Sequence, residues 1–159
     1  MDTSVVIMKL LTAVLGSVGF SIIFYLKPHK LPLAALGGLI TCAVYLGVQM
    51  LLGGELVPNL SAAFVGAIFS EVMARLTKAP VPVYLLPCLI PLVPGGMLYK
   101  TMDNFIRGAY GAAGNYGLTA LAVAVGIAGG IMAASVCGML YAQAVGYVKK
   151  KHAPSDFHK

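Results

Sequence analysis

Charge is what this chain has least of. Only 10% of its 159 residues are Asp, Glu, Lys or Arg, against roughly 25% in an ordinary soluble domain, while 59% belong to the apolar set. A soluble globule of this size buries only about two thirds of the surface its unfolded chain exposes. The remaining exterior would be apolar enough to aggregate. The composition excludes a water-soluble domain and makes lipid the solvent.

Carboxylates are scarcer still. Asp2, Glu55, Glu71, Asp103 and Asp156 are scattered along the chain, which excludes the clustered ligands, or nucleophile and base, that a membrane enzyme needs. Cys42, Cys88 and Cys137 stand singly in apolar segments, without the spacing of a metal site or redox pair, and are expected to be buried spectator thiols. His29, His152 and His158 flank the apolar segments with no companion at ligand spacing. No catalytic residue, metal or cofactor is expected, and no nucleotide-binding motif is present. The formal net charge of +6 does not indicate nucleic acid, because no basic face with interleaved aromatics appears.

What remains is long charge-free sequence: 10–26, 31–54, 56–70, 79–99 and 108–148. A helix needs about 20 mostly apolar residues to cross roughly 30 Å of hydrocarbon. An all-α integral membrane protein of about five transmembrane helices follows, with spans near 4–26, 33–52, 60–78, 82–100 and 118–148. Lys27 and Lys30 follow the first, Arg75 and Lys78 close the third, and Lys149, Lys150 and Lys151 follow the fifth. These are alternate loops, so the excess of Lys and Arg puts the amino terminus outside and the carboxyl end in the cytoplasm. The first segment carries Asp2 where a signal peptide has a basic start, and its lysines come afterwards, so it is expected to be a retained span. One membrane domain is expected over 1–148, with a short basic tail over 149–159.

The last span repeats small residues every fourth position: Ala122, Gly126, Gly130, Ala134, Gly138, Ala142 and Gly146. Such a stripe lets helix backbones approach closely in lipid, either within one subunit or along a functional groove. A shorter stripe, Ala62, Gly66, Ser70 and Ala74, runs along the third span.

The segment 80–96 reads PVPVYLLPCLIPLVPGG. Each proline inside a helix removes a backbone donor, so Pro91, Pro94, Gly95 and Gly96 mark a break in the fourth span. Broken backbone survives at membrane depth only if it is buried in protein or lines a wet cavity, and transporters put substrate sites there. The helix restarting after the break would present free backbone donors to a carboxylate, with Lys100 one turn on. The alternative is a kinked span followed by an amphipathic helix at the interface.

Glu71 is the one acidic residue well inside a span, where an unpartnered charge costs a few kcal/mol. It either pairs with Arg75, four residues on, or serves in coupling or substrate binding. Asn115, Tyr116, Tyr84, Tyr99 and Gln49 are lesser candidates that helix ends or an aromatic belt would also explain.

The run PCLIPLVPGGMLYKTM over 87–102 resembles the signature segment of the threonine/serine exporter family, particularly its short subunit. Length, five apolar segments, SEVMARLTKAP at 70–80 and the final small-residue span resemble that subunit too. The resemblance implies a secondary exporter of small hydrophilic metabolites in a bacterial inner membrane. Its substrate would be threonine and serine, or a dicarboxylate such as succinate, and an ion gradient would drive it. It implies a carboxyl-terminal half that works with a longer homologous subunit or a second copy of itself. It also carries function onto Pro91, Pro94, Gly95, Tyr99, Glu71 and Arg75. A non-transporting assembly or substrate-capture subunit of another transport complex is the competing reading.

Overall fold

The computed structural model describes the backbone of residues 3–151 and the side chains of 4–141 and 143. Residues 152–159 of the expected tail lie outside the described residues. Among the described residues there are six α-helices: α1 (Thr3–Ile23), α2 (Leu31–Leu52), α3 (Leu56–Thr77), α4 (Pro82–Leu89), α5 (Gly95–Ile106) and α6 (Tyr110–Lys151). Single 3₁₀ turns, Pro28–Lys30 and Ile90–Leu92, precede α2 and follow α4, and there is no strand among the described residues.

Four of these helices are long and apolar enough to cross a membrane, and the pair Pro82–Leu92 and Gly95–Ile106, bent by 53°, brings the number to five when it is taken as one broken span. Turn chemistry sets the boundaries. Gly53 and Gly54, at φ of 66° and 70°, and Gly108, at 76°, take left-handed backbone that a side chain disfavours; the first two separate α2 from α3 and the third separates α5 from α6. The structure starts the last helix at Tyr110, not near 118 as expected, so the helix takes up nearly the whole charge-free stretch from 108. Gly111, Gly114 and Gly117 do not interrupt it, and Gly117 lies in van der Waals reach of Thr101 on α5.

Helices α1, α2 and α3 alternate up and down, and α4 lies among them, burying Tyr84, Pro87, Cys88 and Leu89. Helix α6 runs parallel to α3, because Gly126 lies against Leu56 and Asn59, Gly130 against Leu60 and Ala63, and Gly138 against Glu71. The stretch 110–125 therefore reaches about 24 Å beyond the start of α3, where it pairs with α5.

The small-residue stripe is occupied by the chain's own α3 at Gly126, Gly130 and Gly138, with Ala134 buried between them, the first of its two expected uses; the side chains of Ala142 and Gly146 lie outside the described residues. One expectation changes: Cys137 is exposed, unlike Cys42 and Cys88, because it lines an open groove between α3 and α6. The three basic loops do share one end of the bundle: Lys30 Nζ donates to the Thr77 carbonyl at 3.1 Å, a cation at a helix carboxyl end.

Candidate functional site

The break in the fourth span begins where proline chemistry requires it. Pro91 has no N–H to give the carbonyl of Pro87, four residues earlier. The buried Ser17 hydroxyl of α1 donates to that carbonyl instead, at 2.8 Å. Gly38 of α2 makes this possible, since a side chain there would collide with Ser17. Val93 is extended, Pro94 has φ of −78° and ψ of 45°, and α5 restarts at Gly95. Leu89 and Leu92 pack against Ala62 and Ala63, so the break sits about two turns from the start of α3, at the end of the bundle opposite the basic loops.

A cavity of about 790 Å³ lies against the break, within the range of small-molecule sites. Ile90 to Pro94, Gly96, Met97 and Lys100 form one side; Lys9, Thr12 and Ala13 of α1, Cys42 and Tyr45 of α2, Glu55 and Asn59, and Tyr116, Thr119 and Val123 of α6 complete it. Lys100 lies over the ring of Tyr116, its Nζ 5.3 Å from the centroid. Glu55 accepts hydrogen bonds from Tyr45 Oη (3.1 Å) and Gln49 Nε2 (3.3 Å). Asn59, 2% exposed, donates to the Glu55 carbonyl at 2.6 Å.

The residues singled out in the sequence therefore divide. Pro91, Pro94, Gly96 and Lys100 line the cavity, and Gly95 begins α5 beside it. Tyr99 is 73% exposed and outside the lining. Glu71 and Arg75 lie elsewhere, paired at 3.4 Å in a separate groove of about 520 Å³ between α3 and α6 that also includes Cys137 and Gly138. Twelve residues of helix, about 18 Å, separate Glu71 from Asn59. Tyr84 is fully buried in the packing of α4, and its hydroxyl has no protein partner.

The sequence alone did not single out Lys9, Tyr45, Asn59 or Glu55 as site residues, and Glu55 counted only among the scattered carboxylates. A signal was available: Tyr45 and Gln49, four apart, put two polar groups on one face near the end of an apolar helix, just before the Gly53–Gly54 turn that returns Glu55 to them.

The family model described as "Threonine/Serine exporter, ThrE" matches residues 9–137, a stretch that includes every side chain lining the cavity. Searches of curated proteins and of solved structures return no match.

Proposed function

The chain belongs to the threonine/serine exporter family, a family of membrane transporters, and we propose that it works there as one of two homologous subunits that together export a small hydrophilic metabolite. The observation that carries this reading is the cavity against the broken helix. A discontinuous span leaves backbone groups and a helix start free to meet a polar substrate, and here it does so beside Lys9, Lys100 and Glu55.

On this reading the substrate carboxylate lies near the start of α5 and Lys100, with Pro91, Pro94, Gly95 and Gly96 holding the helix open for it. Amino acids such as threonine and serine, or a dicarboxylate such as succinate, are the substrate classes. Tyr99, outside the cavity in this chain, would meet the second subunit. Glu71 and Arg75 form the intramembrane pair, away from the substrate. With the basic loops cytoplasmic, in a bacterial inner membrane, the cavity lies toward the outer side.

The need for a second subunit is supported by α5. None of its residues is buried, and Leu98, Met102, Phe105 and Ile106 are exposed along it, although broken backbone at membrane depth requires protein or a wet cavity around it. Alternating-access carriers commonly place their site between two related halves. Export of threonine, serine and succinate from loaded cells expressing this chain, a long family subunit, or both tests the proposal. Export is expected only from the pair, and full export by this chain alone would overturn it.

A further inference from the structure

The cavity carries charged groups of both signs. Lys9 on α1 and Lys100 on α5 are the positive ones, and among the described residues neither enters an ion pair; the pairs formed are Arg75–Glu71 and Arg107–Asp103. Glu55, at the turn between α2 and α3, is the negative one. Its two oxygens accept from neutral donors, Tyr45 and Gln49, which position the carboxylate without cancelling its charge. An ionised carboxylate has about four acceptor positions, so capacity for an ionic donor remains.

Two structural duties that would occupy Glu55 are not performed by its side chain. It stands at the N-cap of α3 but makes no bond to the first-turn N–H groups, and no Lys or Arg among the described residues reaches it. Asn59 beside it uses its amide nitrogen on the Glu55 carbonyl, which leaves Oδ1 as a second acceptor beside Glu55. A ligand that satisfies both signs of charge carries a carboxylate and an ammonium group on one small skeleton.

Resting on the exporter reading above, we propose that Glu55 is the specificity-determining residue of the cavity, receiving the ammonium group of a zwitterionic amino acid and repelling the second carboxylate of a dicarboxylate. Removing its charge leaves a wall bearing Lys9 and Lys100 alone, which suits a dianion. A charge-assisted hydrogen bond of this kind corresponds to roughly 10- to 100-fold in affinity.

The test compares threonine and succinate export from loaded cells expressing this chain together with the long subunit. The wild-type pair is expected to favour threonine. Glu55→Gln, which keeps shape but not charge, is expected to lower the threonine-to-succinate ratio roughly 10- to 100-fold, with succinate export kept or raised. Glu55→Asp, which keeps the charge on a shorter arm, is expected to shift the ratio less and in the same direction; it carries the test if Glu55→Gln is absent from the membrane. An equal loss of both activities, with the ratio unchanged, would mean that Glu55 only fastens the α2–α3 turn, and would overturn the inference while leaving the exporter reading intact. A wild-type pair that prefers succinate would overturn it likewise. A wild-type pair that exports neither compound above cells lacking both chains would remove the exporter reading itself.

Discussion

Ser17 gives Pro87 the hydrogen bond that Pro91 withholds. The proline breaks the ladder of its own helix, and a hydroxyl from α1 repairs it at 2.8 Å in a fully buried position. Ser17→Ala is expected to destabilise the protein by about 1–3 kcal/mol, the cost of an unpaired buried carbonyl. Thermal unfolding in detergent measures it. Restoring a backbone donor with Pro91→Ala should shrink that penalty, so a cost that stays the same in both backgrounds would show that the two residues are not coupled.

The seam between α3 and α6 leaves no room at Gly130, where a Cβ would press into the Leu60 carbonyl and lie 2.8 Å from the Ala63 Cβ. Gly130→Val is expected to cost about 1–3 kcal/mol by overpacking and to lower the yield of folded protein. Gly129→Val, one residue away and only in ordinary contact with Leu60 at 3.6 Å, is the comparison and should cost much less. Equal effects at the two positions would contradict the close approach.

Glu71 and Arg75 are partly exposed, at 22% and 55% of their side chains, and their atoms are 3.4 Å apart. A pair of this kind contributes at most about 1 kcal/mol. Glu71→Gln is therefore expected to leave stability nearly unchanged, and substrate affinity unchanged, since the cavity lies well along the helix. Binding of labelled substrate to the purified subunit pair checks the second point. Unchanged affinity with lost export would assign Glu71 to coupling, whereas weakened binding would contradict the separation of the two sites.

The end of the bundle where Lys30 meets Thr77 is expected to face the cytoplasm. Single cysteines introduced at Lys27 and Lys78, in a background with Cys42, Cys88 and Cys137 replaced by Ala, are expected to resist an impermeant thiol reagent added outside intact cells and to react after lysis. A reporter fused after Lys151 is expected to fluoresce as green fluorescent protein and to be silent as alkaline phosphatase. Labelling of intact cells would reverse the topology.

The sequence by itself determined the solvent, the all-helical class with its long apolar helices, and the break at the prolines. Charge-free length and the spacing of Pro91, Pro94, Gly95 and Gly96 are local properties, and lipid penalises unpaired backbone so heavily that few structures satisfy them. It could not say which face of each helix meets which neighbour. In a soluble helix the buried face is the apolar one; here lipid and protein interior are equally apolar, and close approach and polar contacts decide the packing. Tertiary structure alone therefore matched the α6 stripe with α3 and gave Pro87 its donor from Ser17, seventy residues away. It also gathered Lys9, Tyr45, Glu55 and Lys100 around one cavity while leaving Glu71 outside it, because each of these depends on contacts between helices that no local period in an all-apolar sequence encodes.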